Sequence, residues 1–201
     1  MTIAAPSTPR LVLADRVFSR SLLMDAVLVV SGAALVTIFA QLYVPLWPVP
    51  VTGQTLAVLL VGATLGSLRG ALALVLYAVV GIVGLPVFSE GAHGLGVIAG
   101  PTGGYIVGFI ISAAMVGWLS ERAWDRKILK ALATFAAGTL VVFAVGLPWL
   151  AAVLGLNLQQ TLEGGLYPFL IGGAIKALIA AGLLPLAWFG ANKLGGKRAD
   201  G

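Results

Sequence analysis

Long apolar runs alternate with short polar, glycine-rich or proline-rich stretches along almost the whole chain. An α-helix needs about 20 apolar residues to cross a hydrocarbon core of about 30 Å. Four of the six runs meet this length, the third is close to it, and the second is too short by itself. We therefore predict an all-α integral membrane protein that forms one domain, residues 1–201, with six transmembrane helices. The predicted segments are 21–44, 54–68, 71–87, 102–119, 128–156 and 167–192.

The composition supports this class and excludes several kinds of site. Hydrophobic residues make up 60% of the chain, charged residues make up 9%, and the mean hydropathy is +1.06. A soluble domain carries about 25% charged residues. The chain has no cysteine, which rules out disulfides, thiolate metal ligands and cysteine nucleophiles. We expect neither a bound metal nor a cofactor.

All basic residues except Lys176 lie at alternate ends of the predicted segments. The other loops carry Glu90, His93 and Glu163 and no lysine or arginine. Cytoplasmic loops are enriched in Lys and Arg, so we predict cytoplasmic tails at 1–20 and 193–201, the first mobile or lying on the membrane surface. The net charge of +5 then reflects topology and not a nucleic-acid-binding surface. Eleven of the twelve basic residues follow this pattern: Arg10, Arg16, Arg20, Arg69, Arg122, Arg126, Lys127, Lys130, Lys193, Lys197 and Arg198.

Two loops on the predicted outer side have irregular sequences. The stretch 45–53 is apolar but contains three prolines, which forbid a helix, and it precedes the short second segment. We expect it to re-enter the membrane, where non-helical backbone must be buried in protein or line a wet cavity. The glycine-rich stretch 84–104 is either a lid or a flexible connector. Both loops lead into helix N-termini, near Gln54 and Thr102, whose free N–H groups favour an anion.

Lys176 is the one basic residue in the middle of a predicted span. It lies nine residues after Tyr167, about 14 Å along the sixth helix. A lysine at this depth costs about 2.5–3.5 kcal/mol, and no acidic residue lies at a similar depth in the other segments. We expect Lys176 to face a cavity whose ligand supplies the missing negative charge. A lysine that is satisfied by carbonyl groups and water, or that is deprotonated by burial, is the alternative.

Small and aromatic residues recur at helical spacing in several segments. Tyr77 and Tyr105 each share a face with glycines, an arrangement that lines a ring-shaped ligand or allows close helix packing. The four-residue spacing of Gly62, Gly66 and Gly70, and of Gly96, Gly100, Gly104 and Gly108, is typical of helix contacts. The first segment has a smooth face that suits either a partner helix or packing within the chain, formed by Gly32, Ala33, Thr37 and Ala40.

Four motifs, in order along the chain, resemble those of BioY, the biotin-binding S component of energy-coupling factor (ECF) transporters. The family commonly has an aspartate three residues before the lysine of its last helix. Gly173 occupies that position here, and Glu90 is a candidate replacement. The Ala-x-x-x-Ala docking pattern of S components corresponds to Ala33-x-x-x-Thr37. The motifs are Val49-Pro50-Val51-Thr52-Gly53-Gln54-Thr55, Gly84-Leu85-Pro86-Val87-Phe88, Gly100-Pro101-Thr102-Gly103-Gly104-Tyr105 and the segment from Pro168 to Ala177.

The resemblance implies a multi-pass S component of a prokaryotic inner membrane that binds biotin near its outer surface. Its partners would be a transmembrane coupling protein and two cytoplasmic ATPases, and self-association stays open. No enzyme activity is implied. The expected biotin-binding residues are Thr52, Gln54, Tyr77, Glu90, Gly100, Thr102, Gly103, Tyr105 and Lys176. The expected docking residues are Gly32, Ala33, Thr37 and Ala40.

Three alternatives stay open at this point: an S component for another small vitamin, an intramembrane enzyme, and a structural membrane subunit. The chain has neither His-Glu-x-x-His nor Gly-x-Ser-x-Gly, two frequent hydrolase motifs. It also lacks a Walker ATP-binding motif, so a partner must hydrolyse any ATP used. A structural subunit would need neither Lys176 nor two irregular outer loops.

A cysteine introduced at Glu163 should react with a membrane-impermeant thiol reagent in intact cells, because its loop is predicted to lie outside. The natural chain has no cysteine, so the labelling comes from the new residue alone. Cysteine at Lys127, in a predicted cytoplasmic loop, is the control and should react only after lysis. Labelling of the Glu163→Cys protein only after lysis would overturn the topology.

Overall fold

The computed structural model describes residues 12–197, with side chains through Lys193, and this part of the chain is almost entirely helical. The predicted tail residues 1–11 and 198–201 lie outside the described residues. The helices are α1 (Leu13–Val17), α2 (Leu22–Ala40), α3 (Gln54–Leu65), α4 (Ser67–Val83), α5 (Leu95–Ala99), α6 (Gly103–Ser120), α7 (Ile128–Leu154), α8 (Leu158–Gly165) and α9 (Tyr167–Lys197). Two short strands, β1 (Tyr43–Val44) and β2 (Val51–Thr52), pair antiparallel, and 3₁₀ turns lie at Ser89–Gly91 and Trp124–Arg126.

Each of the six predicted segments overlaps one of the helices α2, α3, α4, α6, α7 and α9, which confirms the all-α membrane class. Four of them, α2, α6, α7 and α9, are long and apolar enough to cross a membrane. The other two are apolar but shorter, with 12 residues in α3 and 17 in α4. At 1.5 Å per residue α3 extends only about 18 Å. The remaining depth beside α3 is therefore filled by the non-helical chain that leads into it.

The turn between α3 and α4 is tighter than the sequence predicts. Only Gly66 separates the two helices, and its φ of +89° is one that glycine adopts readily. Arg69 therefore lies in the first turn of α4 and not in a loop. Across the turn, a Cβ on Gly70 would lie 3.1 Å from the Cα of Gly62. Gly62 itself faces α6, where its Cβ would lie 2.7 Å from the carbonyl oxygen of Ala113.

The chain between α2 and α3 forms a small hairpin that the sequence did not predict. The first segment is helical only to Ala40, and strand β1 then pairs with β2, with Tyr43 opposite Thr52. The hairpin tip is exposed, since Trp47 keeps 81% of its surface, whereas Val49 keeps only 4%. The stretch 45–53 therefore enters the bundle with its second half only.

The smooth face of α2 packs inside the chain, so the expected docking surface is wrong for this conformation. A Cβ on Gly32 would lie 2.9 Å from the Cβ of Ala73 in α4. Ala33 and Ala40 are buried, and the Thr37 hydroxyl donates a hydrogen bond to the carbonyl of Ala33. Small side chains let α2 and α4 approach closely. The spacing of these small residues along the sequence did not reveal which helix would cover them.

At the predicted cytoplasmic end, the first described residues of the tail pack against the bundle. Helix α1 contacts α9 and α3, and Val12, just before it, is buried. The Arg69 guanidinium lies 2.8 Å from a carboxylate oxygen of Asp15 and 2.9 Å from one of Asp25, and Arg20 also pairs with Asp15 at 2.8 Å. Burial alone would raise the pKa of Asp15, but the hydrogen bonds from Arg20 and Arg69 outweigh it and lower that pKa.

The loop between α6 and α7 is fixed to α9 by a buried acid. Asp125 has no exposed surface and accepts a hydrogen bond of 2.6 Å from the indole nitrogen of Trp188. Burial raises the pKa of Asp125, although this hydrogen bond acts in the opposite direction. On the other side of the bundle, Asn157 caps helix α8, which the sequence did not predict. The Asn157 side-chain oxygen accepts a hydrogen bond from the Gln160 backbone N–H, and the Gln160 side-chain oxygen accepts one from the Asn157 backbone N–H.

Arg69→Gln should destabilise the protein much more than Arg20→Gln. Arg69 bridges two carboxylates and its side chain is 16% exposed, whereas Arg20 makes one ion pair and is 57% exposed. Breaking a buried ion pair costs about 3–5 kcal/mol, and an exposed pair contributes about 1 kcal/mol or less. Thermal unfolding of the detergent-solubilised variants measures the difference. Equal melting temperatures for the two variants would show that Arg69 does not hold α1 and α2 together.

Candidate functional site

A narrow cavity lies at the predicted outer end of the bundle, below the two irregular loops. Its empty volume, open mouth included, is about 540 Å³. Helices α3, α4, α6, α7 and α9 and both loops contribute to its wall. The polar lining is Thr52, Gln54, Thr55, Tyr77, Ser89, Thr102 and Tyr105, and the aromatic lining adds Phe88, Phe109, Phe143 and Phe169.

A chain of hydrogen bonds forms the polar wall. The Gln54 side-chain amide, 5% exposed, donates to the Tyr77 hydroxyl at 2.7 Å. The Thr52 hydroxyl donates to the Gln54 carbonyl oxygen at 3.0 Å and accepts from the Gln54 backbone N–H at 3.2 Å. The first N–H of α3 is therefore already satisfied by Thr52. The expectation that this N–H is free for an anion is wrong in this structure.

Lys176 adjoins the polar wall without lining the cavity. Its ammonium, half-buried, donates a hydrogen bond to the backbone carbonyl of Thr52 in β2. No ion pair of Lys176 occurs among residues 12–193. Gly173, one turn earlier on α9, leaves open space, since a Cβ there would meet only the Thr139 methyl at 3.8 Å. The lysine is therefore satisfied by a carbonyl in this structure, and its positive charge has no counter-charge within the described chain.

Three rings form an apolar part of the wall. Tyr105, Phe143 and Phe169 are in mutual contact, with centroid distances of 6.3 Å, 6.1 Å and 5.9 Å. Tyr105 is held at both ends: its hydroxyl donates to the Gly165 carbonyl at 2.9 Å, and its ring lies against Gly146, where a Cβ would approach it to 2.7 Å. The Tyr105 hydroxyl is therefore already engaged, and this wall offers an apolar surface.

The second loop covers the cavity with Phe88. The Phe88 ring is 2% exposed and meets Tyr77 edge-on at a centroid distance of 5.3 Å. It fits into the space left by Gly81, where a Cβ would lie 2.1 Å from the ring. The Gln41 side chain donates to the Phe88 carbonyl at 3.0 Å, and the Gly94 N–H donates to the Gly81 carbonyl at 2.7 Å. These contacts hold the loop over the cavity, as expected for a lid.

Of the nine residues expected to bind ligand, the structure brings five around the cavity: Thr52, Gln54, Tyr77, Thr102 and Tyr105. Lys176 contacts the cavity wall only by its hydrogen bond to the Thr52 carbonyl, and the other three residues do not line the cavity. Glu90 is exposed at φ +63°, so it does not replace the missing aspartate here. Gly100 accepts a hydrogen bond from the Trp149 indole, and Gly103 is packed so closely that a Cβ would overlap the carbonyl oxygen of Ile98.

Two lining aromatic residues were absent from the expected set although the sequence offered signals for them. In the sequence Phe88 follows Tyr77 at helical spacing, although the structure places it in the loop after α4, and Phe169 lies one heptad before Lys176. Phe143 had no such signal, because nothing in the sequence of α7 reveals which of its faces meets the glycines of α6. Residues 12–193 also contain no cluster of three or more His, Asp or Glu side chains that could hold a metal ion.

Comparisons with known proteins give a consistent result. The sequence pattern that defines the BioY family matches residues 11–193. The Rhizobium etli protein named biotin transporter BioY is 38% identical over 141 residues, covering 67% of this chain and 75% of its own length. The BioY2 biotin transporter of Lactococcus lactis is 32% identical, covering 78% of this chain and 86% of its own. The solved S component for biotin from an ECF-type ABC transporter superposes with a TM-score of 0.73 at 23% identity, covering 81% of this chain and 89% of that one.

Gly81→Ala should lower the melting temperature, because the new methyl group would overlap the Phe88 ring at 2.1–2.6 Å. Overpacking of this kind costs about 1–3 kcal/mol, which outweighs the roughly 1 kcal/mol that alanine gains over glycine in a helix. Gly172→Ala is the matched control, since a Cβ there meets nothing within 4 Å. Equal effects of the two substitutions on thermal unfolding would show that Phe88 is not fixed against α4.

Proposed function

Because the chain belongs to the BioY family, we propose that it is the substrate-binding S component of a biotin uptake system in a prokaryotic inner membrane. Biotin is captured from the outer side, in the cavity below the two irregular loops, and is delivered inward. The whole described chain forms one membrane domain around this site, and it carries out no chemical reaction on the vitamin.

The observation that carries the proposal is the pairing of this cavity with the uncompensated charge of Lys176. Biotin has a polar urea group and a carboxylate, joined by an apolar thioether ring and a chain of four methylenes. Thr52, Gln54 and Tyr77 offer hydroxyl and amide groups that can donate and accept hydrogen bonds. The rings of Phe88, Phe143 and Phe169 match the apolar part, as in most ligand sites.

Lys176 supplies the electrostatic part of recognition. In the described structure its ammonium is bound to a neutral carbonyl, that of Thr52. Hydrogen bonds between two charged groups are stronger than those with one neutral partner, above all where water is excluded. A hydrogen bond from Lys176 to the ligand's carboxylate, or to its polarised urea carbonyl, is therefore stronger than the one to the Thr52 carbonyl. In this proposal the Lys176 side chain leaves the Thr52 carbonyl to bind the ligand.

Transport also needs a source of energy that the chain does not contain. A transmembrane coupling protein and two cytoplasmic ATPases provide it in this proposal, since no Walker motif occurs in the sequence. Both termini face the cytoplasm, in keeping with the one-sided placement of basic residues. The coupling protein contacts a surface other than the small-residue face of α2, because Gly32, Ala33 and Ala40 are covered by the chain itself.

Lys176→Met should weaken binding of labelled biotin to the purified protein at least about tenfold. The substitution keeps much of the side chain's length and removes the charge. A hydrogen bond to a charged group contributes about 1.5–3 kcal/mol net, and 1.4 kcal/mol is a factor of ten in affinity. Lys193→Met is the matched control, because Lys193 is exposed at the far end of α9, and its affinity should not change.

Thr52→Val and Gln54→Leu should each weaken biotin binding less than Lys176→Met, because they remove neutral hydrogen bonds. Thr52→Val leaves the backbone carbonyl that binds Lys176 in place. If Lys176→Met protein folds normally and binds biotin as tightly as the wild type, the lysine has a structural role only and the proposed recognition is wrong.

A further inference from the structure

Two aromatic rings separate the ligand cavity from the lipid-facing surface. Phe143 of α7 and Phe169 of α9 line the cavity on one side, and they also line a wide groove between these two helices. The groove has an empty volume of about 1560 Å³ and is open on its outer side. Both rings are half-buried. We call this pair the aromatic partition.

The groove behind the partition is apolar and has free space. No charged side chain lines it, and Leu140, Leu147 and Leu170 are among its walls. On α9 it is bordered by glycine: a Cβ on Gly173 would touch only the Thr139 methyl, at 3.8 Å. The groove therefore faces the hydrocarbon of the bilayer, and the two rings have room to move into it.

The partition is held by apolar contacts, with the buried core and between rings. The rings of Phe143 and Phe169 meet edge-on at 5.9 Å, and each also contacts Tyr105. Tyr105 is fixed by its hydrogen bond to Gly165 and by close packing on Gly146, whereas a phenylalanine ring has no hydrogen-bonding group. Displacement of the partition therefore loses ring contacts with Tyr105, which lowers the affinity for the ligand that displaces it. No hydrogen bond is broken by this movement.

We propose that the aromatic partition is the specificity determinant that limits the length of the ligand's aliphatic chain. This rests on the proposed function, that the cavity binds biotin. Thr52, Gln54 and Tyr77 form one hydrogen-bonded wall of the cavity. Phe143 and Phe169 carry no polar side-chain atom, and the hydroxyl of the neighbouring Tyr105 is already bound to the Gly165 carbonyl. The urea and carboxylate groups of biotin therefore face away from the partition, and its methylene chain lies against it.

A longer chain has only one direction in which to expand. With both polar ends held, an added methylene cannot lengthen the bound ligand, so the chain must buckle towards the apolar side and push on Phe143 and Phe169. One methylene in a hydrophobic pocket changes discrimination by roughly 10–200-fold. The wild type should accordingly bind homobiotin, which has one more chain methylene, at least about tenfold more weakly than biotin.

The test is competition between labelled biotin and homobiotin on the purified full-length chain. Phe143→Ala and Phe169→Ala should weaken biotin binding but bring the two affinities to within about threefold of each other, because the groove then accepts the extra methylene. Leu140→Ala and Leu170→Ala are the matched controls. These leucines line the groove only and are 69% and 50% exposed, so the wild-type preference for biotin should persist.

Three results would overturn the proposal: equal affinities of the wild type for both compounds, an unchanged preference in both phenylalanine variants, or an equal loss of preference in the leucine controls. If the alanine variants do not fold, Phe143→Leu and Phe169→Leu are tested instead. Their preference for biotin over homobiotin should be smaller than that of the wild type. A wild type that binds no biotin would refute the proposed function itself. Tight biotin binding without discrimination against homobiotin refutes only the role of the partition.

Discussion

The hydrogen bond from the Lys176 ammonium to the Thr52 carbonyl connects the last helix to the polar wall of the cavity. A lysine at the centre of a membrane helix costs about 2.5–3.5 kcal/mol, so it must have a polar partner. Strand β2 supplies one because its carbonyl is not used by a helix. The same strand leads into the hydrogen bonds of Gln54 and Tyr77, so the charge, the loop and helices α3 and α4 form one unit. A neutral carbonyl compensates the charge only in part, and in the proposed function an anionic ligand supplies the rest.

Glycine packing creates the space in which this unit sits. Close contacts of Gly62 with Ala113 and of Gly108 with Val142 bring α3, α6 and α7 together along their length. Because α3 is only 12 residues long, the predicted outer end of this tightly packed group is filled by loops and aromatic rings instead of helix. Rings can be accommodated there where a neighbouring glycine has no side chain, as with Phe88 on Gly81. The cavity is thus a consequence of one short helix in an otherwise closely packed bundle.

Sequence reasoning succeeded where one residue's own chemistry decides its environment. The length of the second segment demanded a non-helical neighbour, and the chain that leads into α3 provides it. The depth of Lys176 demanded a polar partner, and in this structure the partner is the Thr52 carbonyl, which was the alternative to the expected ligand charge. It failed where the environment depends on a neighbour that the sequence does not identify. The small residues of α2 looked like a docking face because spacing cannot reveal that α4 covers Gly32. Glu90 looked available as an acid, but its backbone at φ +63° carries it to the exposed side of the loop. Phe143 was missed for the same reason.

Equilibrium binding of labelled biotin to the purified wild-type chain, with no ATPase or coupling protein present, tests the central claim most directly. The cavity, the polar wall and Lys176 all belong to this single chain, so the account predicts saturable binding of one biotin per chain that excess unlabelled biotin displaces. The bound vitamin should be recovered chemically unchanged. Absence of saturable binding by folded, monodisperse protein would contradict the claim that this chain alone forms the biotin site.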